Sequence, residues 1–260
     1  MPFATVGGRR LSYEERGAGR PVLLLHGFPF TSESFWPQLG APPSGFRLIV
    51  PDHRGFGMSE PAPGPATMEA LAEDALALLD ALGVPQAVVG GVSMGGYVAI
   101  ALTRRDPGRV KALVLMDTQS SADDDAGKAR REAVAKEVEE KGVGPVVEAL
   151  LPKLMAPAVD PTVRARVEKM MRAQSPAAVA AASRGMATRT DGKDILSRFG
   201  GPCLVVVGEQ DLITPPEKAR AMASLMPQAQ VAVIPGAGHL ANLEAPEALS
   251  RVLAPFLQST

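Results

Sequence analysis

The chain has 260 residues, 46% of them hydrophobic and 21% charged, with a formal net charge of −1. That length and balance suit one large globular unit, or a unit with an inserted piece, and the lack of a basic stretch argues against a nucleic-acid partner. A single cysteine, Cys203, excludes an intramolecular disulfide. No apolar run approaches the roughly 20 residues of a membrane helix, and "MPFATVGGRR" has none of the apolar core of a signal peptide. The expected setting is therefore cytoplasmic and away from membranes.

In chain order, residues 2–7 and 9–17 alternate loosely and read as an antiparallel hairpin. Six short apolar runs follow: 21–26, 46–52, 86–91, 111–117, 202–209 and 230–236. They are rich in Val, Ile and Leu with little polar alternation, which is how strands covered on both faces read. Helical patterns separate several of them. The stretch 67–83 has Thr67 as N-cap and Gly83 as stop, and helices are also predicted near 215–227 and 245–258. Strand and helix in alternation predict an α/β fold, with a mostly parallel central sheet and helices on both faces.

One segment breaks the alternation. Residues 118–196 carry no strand pattern and read as four helices, near 127–141, 145–155, 161–173 and 176–189, with Pro145, Pro161 and Pro176 at their starts. The expected organisation is a core of 1–117 and 197–260 interrupted by an all-helical insertion, 118–196. The run "KARREAVAKEVEEK" reads as a solvated face. Asp123, Asp124 and Asp125 read as the acidic flank of a helix start, because no histidine or spaced second cluster accompanies them to make a metal site.

The stretch "GGVSMGGYVAI", residues 90–100, places Ser93 within Gly91-Val92-Ser93-Met94-Gly95, after a strand and before a helix. In that setting G-x-S-x-G describes a tight turn that lifts a serine hydroxyl above the strand end. Small neighbours are needed two residues to either side, and the Met94 N–H sits at a helix N-terminus where it can stabilise an oxyanion. A serine nucleophile needs a base. The chain offers three histidines, His26, His53 and His239. His239, in "PGAGHLANLEAP" after the last strand, is the best placed of them. The imidazole needs a carboxylate to set its tautomer. Asp211 in "GEQDLITPP" is favoured, Asp117 in "LVLMDTQ" is its rival, and Glu209 is a third candidate.

With "HGFP" (26–29), "DHRGFGMS" (52–59), "GVSMGG", "GEQDLITP" and "GAGHLANLEAP" in this order, the sequence resembles the α/β-hydrolase fold superfamily over nearly its whole length. The cap segment and the elbow look most like those of small carboxylesterases and 3-oxoadipate enol-lactonase-like proteins. The resemblance implies Ser93 as nucleophile, Asp211 as acid and His239 as base. It gives the oxyanion hole to the backbone N–H groups of Phe28 and Met94, and makes 118–196 a helical cap. Asp52, Arg54 and Gly55 would then be turn architecture, as would His26. A serine at the elbow argues against the epoxide-opening and halide-displacing relatives, which place an aspartate there.

The implied reaction is hydrolysis of a carboxylic ester or lactone, a small-molecule substrate, with no metal or organic cofactor. Thioester, perhydrolytic and carbon–carbon cleavage use similar triads, and a ligand receptor on this fold is the reading from another class. Leu154, Met155, Met170, Met186 and Leu240 are the candidate pocket residues, methionine adapting to varied apolar shapes. Arg130, Arg131, Arg184 and Arg189 read as solvent-facing.

Overall fold

The structure is a computed structural model that describes all residues, 1–260. Eight strands form one sheet: β1 (Phe3–Val6), β2 (Arg9–Gly17), β3 (Arg20–Leu25), β4 (Phe46–Pro51), β5 (Ala87–Val92), β6 (Val110–Met116), β7 (Cys203–Gly208) and β8 (Ala229–Ile234). Their order across the sheet is β1-β2-β4-β3-β5-β6-β7-β8. The β1–β2 and β2–β4 pairs are antiparallel, and every later pair is parallel. The hairpin and all six apolar runs are strands, their ends within two residues of the sequence expectation. Strands β5 and β7 are buried at every position, which explains why they lack polar alternation.

Helices α1 (Trp36–Gly40), α2 (Met68–Ala81) and α3 (Met94–Arg105) precede β6. Between β6 and β7 lie α4 (Asp125–Lys141), α5 (Gly144–Leu154), α6 (Pro161–Arg172), α7 (Pro176–Ala187) and α8 (Lys193–Leu196), with no strand. Then come α9 (Pro216–Ala223), α10 (Ala241–Glu244) and α11 (Pro246–Gln258). The short helices α1, α8 and α10 are absent from the sequence reading, since one turn is too short to show a 3.6-residue period. Caps define several of the longer ones: the Thr67 side chain accepts from the Ala70 N–H, and that of Asp124 from the Gly127 N–H. No helix is long and apolar enough to cross a membrane.

The sheet separates two apolar clusters. One joins α2, α3 and one face of β3, β5, β6 and β7, and takes in Val138, Val146, Val179 and Met186 from the inserted helices. The other joins the opposite strand faces to α11, and takes in Val147, Leu154, Met155, Val167, Met170 and Met171. The helices between β6 and β7 are thus anchored in both layers. Strands β3, β5, β6, β7 and β8 run parallel side by side, so the loops leaving their carboxyl ends gather along one edge of the sheet.

Candidate active site

Ser93 is the residue between β5 and α3, with φ 53° and ψ −114°, a left-handed backbone that a non-glycine residue adopts only under constraint. The constraint is visible in its surroundings. A Cβ on Gly91 would run into the backbone of Gly95, and a Cβ on Gly95 into the Leu25 carbonyl. Strand, turn and helix therefore approach one another as closely as backbones can. The Ser93 N–H donates to the Met116 carbonyl (3.0 Å), and the Thr118 hydroxyl donates to the Ser93 carbonyl (2.8 Å).

His239 leaves the end of β8 in the Pro235–Leu240 loop and is almost fully buried. Its Nδ1 lies 2.8 Å from Asp211 Oδ2. The rest of the Asp211 carboxylate is also occupied: the N–H groups of Ile213 and Thr214 donate to Oδ1 (2.8 and 2.9 Å), and the Thr214 hydroxyl donates to Oδ2 (2.7 Å). Burial alone would raise the Asp211 carboxyl, but the bond and charge of His239 and the Thr214 donors hold it below the usual carboxylate range. An ionised Asp211 accepts from Nδ1–H, which leaves the other ring nitrogen of a neutral His239 free to accept a proton.

Asp117, the rival acid, sits elsewhere in the same neighbourhood. It is fully buried at the end of β6, with φ 46°. Its Oδ1 accepts from Gly208 N–H (2.8 Å) and its Oδ2 from Ala241 N–H (3.2 Å). Both oxygens tie neighbouring loops together, and none of its hydrogen bonds reaches His239. Burial and the nearby Asp211 charge push its carboxyl well above the usual range. Glu209 accepts from Gly236 N–H at the surface (3.0 Å).

Ser93 and His239 open together into a cavity of about 320 Å³. Phe28 lines it as well, in a loop whose Phe28–Pro29 peptide is cis. The backbone N–H groups of Phe28 and Met94 donate to no acceptor within the protein. Met94 begins α3, so its amide is one of the helix's unpaired donors by geometry.

Of the candidate pocket residues, Leu154 and Met186 line this cavity and Met155, Met170 and Leu240 do not. Met155 and Leu240 are buried in the second apolar cluster, while Met170 borders a separate hollow beside Trp36 and Arg166. The wall instead comes largely from α4 and α5, with Tyr97 and Ile213 from the core. Of the arginines expected to face solvent, Arg130 is exposed, Arg131 and Arg184 are half-buried, and Arg189 is buried. Arg130 and Arg131 line the cavity, together with Lys153. Arg131 is paired with Asp123 (3.2 Å), and Arg189 is buried against Asp123 (2.7 Å) and the Tyr97 ring. Arg184 bridges Glu132 and Glu139. The charged run of α4 gave no sign of a lining role, because a helix with almost no apolar stripe reads as solvated all round.

The other two histidines pack against each other with tilted rings, centroids 4.2 Å apart, away from the cavity lining. His26 Nδ1–H donates to the Gly27 carbonyl (2.8 Å) while Nε2 accepts the His53 backbone N–H (2.9 Å). That pattern requires a neutral ring, and burial lowers His26 to about 4 and His53 well below its ordinary value. Asp52 accepts from Ser32 and Met58 N–H groups (2.7 and 3.3 Å), and Arg54 is held by Asp74 (2.6 Å). Nowhere do three or more His, Cys, Asp or Glu side chains gather as a metal site would require.

The model of the alpha/beta hydrolase fold family matches residues 20–246. A thermophilic esterase from Thermogutta terrifontis superposes with a TM-score of 0.96 at 40% identity, covering 99% of this chain and 98% of its own. The enol-lactonase from Burkholderia xenovorans LB400 superposes with a TM-score of 0.90 at 26% identity, over 99% of this chain and 100% of its own. The dihydrolipoyllysine-residue acetyltransferase component of the acetoin cleaving system of Pseudomonas putida is 31% identical, over 98% of this chain and 68% of its own.

Proposed function

The chain belongs to the alpha/beta hydrolase family, and from that premise we propose that it is a serine hydrolase that cleaves carboxylic esters or lactones through an acyl-enzyme on Ser93. The observation that carries this reading is that His239, hydrogen-bonded to Asp211, opens on the same cavity as a serine held at positive φ on a helix N-terminus. Similarity to an esterase and an enol-lactonase favours an oxygen ester over other acyl bonds.

The mechanism uses only groups of this chain and water. Ser93 Oγ attacks the carbonyl carbon while His239 takes its proton, and Asp211 steadies the imidazolium. The Phe28 and Met94 amides, which are uncommitted inside the protein, receive the oxyanion. His239 returns the proton to the leaving alkoxide. A water then repeats the attack on the acyl-enzyme with the same base, and the acid departs. In this reading residues 118–196 form a cap over the site, and α4 and α5 set the shape of the substrate chamber. Its volume, about 320 Å³, matches a small ligand, at the low end of ordinary ligand pockets.

Two lining cations, Arg130 and Lys153, have no carboxylate partner in the protein, whereas Arg131 and Glu137 are each paired. A substrate with a negative charge remote from its ester would meet them.

The test is turnover on a panel of short aryl esters, lactones and thioesters, combined with labelling by a fluorophosphonate and mass mapping of the adduct. Sustained alcohol release, lost in Ser93→Ala, with the adduct on Ser93, supports the proposal. A single burst without turnover points to a ligand receptor, and an adduct on any other residue overturns the assignment.

A further inference from the structure

Glu244 ends the short helix α10, five residues beyond His239. Its carboxylate accepts three backbone N–H groups from two distant parts of the chain. Oε1 takes those of Gly238 (3.0 Å) and Leu240 (3.2 Å), the residues on either side of His239. Oε2 takes that of Ala156 (2.7 Å), just past the end of α5. Helix α5 supplies Val146, Ala149, Leu150, Lys153 and Leu154 to the cavity wall. The two segments also touch directly: a Cβ on Gly238 would lie 2.6 Å from the Ala156 nitrogen and 2.9 Å from the Met155 carbonyl carbon. Only a glycine lets the α5 terminus seat against the histidine loop.

We propose that Glu244 is a positioning residue that makes the seating of α5 and the orientation of His239 one event. The inference rests on the reading of His239 as the base. The physical basis is the division of labour between the two carboxylate oxygens. When the end of α5 lifts, Oε2 loses its donor, and a part-buried charge is left half satisfied. The carboxylate then turns toward water or toward the remaining amides, and the frame around His239 loosens. When a substrate packs under α5 and holds it down, Oε2 is satisfied and Oε1 holds the flanks of His239 in place. The base would then be ordered only while the substrate chamber is closed, and product release and loss of base geometry would occur together.

The experiment reads the linkage without needing turnover. In the wild-type protein, native-state hydrogen exchange of the Ala156, Gly238 and Leu240 amides is followed with increasing denaturant. The three amides should share one opening equilibrium and one denaturant dependence; separate values overturn the proposal, even if no variant folds. In Glu244→Gln, one oxygen becomes an NH₂ group that faces a backbone donor, so one arm is severed whichever way the amide turns. All three amides should then exchange at least tenfold faster, and the downfield His239 Nδ1 proton should broaden into solvent exchange while the fold persists by circular dichroism. Faster exchange on one side alone, or an unchanged His239 proton beside a freed Ala156, overturns it. Failure of the hydrolase reading shows differently, as a wild-type protein that neither turns over esters nor accepts the label at Ser93.

Discussion

At the scale of single residues, the proposed roles separate cleanly by substitution. Ser93→Ala and His239→Ala should each lower kcat by on the order of 10⁴, as removal of either member of a triad does, with little change in melting temperature. Steady-state kinetics check this, and near-normal turnover in either would exclude the mechanism. Asp211 and Asp117 are both buried carboxylates close to the site, but their partners differ. Asp211 meets the imidazole; Asp117 meets two loop amides. Asp211→Asn should therefore reduce kcat by about 10³–10⁴ through the wrong histidine tautomer. Asp117→Asn, which places an NH₂ group against an amide donor, should lower stability by about 1–3 kcal/mol and affect kcat far less. Chemical denaturation together with kinetics distinguishes the two, and the reverse ranking would make Asp117 the acid. Ser93 and His239 stood out as the proposed nucleophile and base because the chain has only three histidines and one serine in an elbow pattern. Asp211 was favoured over Asp117 from its place in the chain, and it is Asp211 whose carboxylate meets His239 Nδ1; what the sequence did not carry is the use of both Asp117 oxygens on loop amides, since both aspartates follow a strand end.

At the scale of elements, the strands were easy to read and the cavity wall was not. A strand covered on both faces announces itself by continuous Val, Ile and Leu, as β5 and β7 do. Helix α4 carries its cavity residues Arg130, Arg131, Val134 and Glu137 within a run of charges. Charged side chains reach a chamber by their length while their helix stays solvated, and no periodicity records that. A substrate with a remote carboxylate should feel this wall. Replacing Arg130 and Lys153 by alanine should raise KM for an aryl half-ester of a dicarboxylic acid about tenfold and leave the matching neutral ester nearly unchanged. Equal effects on both esters, measured at two salt concentrations, would remove the cations from substrate recognition. The start of α4 offers a stability check. Asp124 caps the helix by accepting from Gly127, so Asp124→Ala should cost about 1 kcal/mol in thermal or denaturant unfolding.

At the scale of the whole molecule, pH acts through the buried histidine pair. Protonating His26 would destroy the acceptor that takes the His53 amide, and would place a charge in the core. Its folded value of about 4 lies below the ordinary 6.5, so the unfolded chain binds the proton first. Stability from this group is complete above about pH 6.5 and is lost as the pH falls toward 4. His53, lowered for the same reason of burial, adds in the same direction. The depressed Asp211 carboxyl also loses its contribution on acidification, at lower pH than an ordinary aspartate. Asp117, raised well above its ordinary value by burial, acts in the opposite direction over the same interval, because the folded chain there holds a proton the unfolded chain has released. The melting temperature of Asp117→Asn, which lacks that opposing group, should thus decline steadily between pH 6.5 and 4, and a flat profile across that interval would show that the histidine pair is accessible to protons when folded.

The alternation of strand and helix, the tight serine turn, the lone histidine after the last strand and the helical segment between β6 and β7 are all readable in the linear chain. Each is a local property, written in residue size, hydrophobic period or the scarcity of a residue type. The strand order β3-β5-β6-β7-β8, which brings Phe28, Ser93, Asp117, Asp211 and His239 to neighbouring strand ends, exists only in the folded chain. The same holds for the walling of the cavity by α4 and α5 and for Glu244, which joins the end of α5 to the histidine loop. These relations link residues far apart in the chain through backbone amides and carboxylates. A backbone N–H is the same at nearly every residue, so the sequence carries no mark of where such a bond will fall.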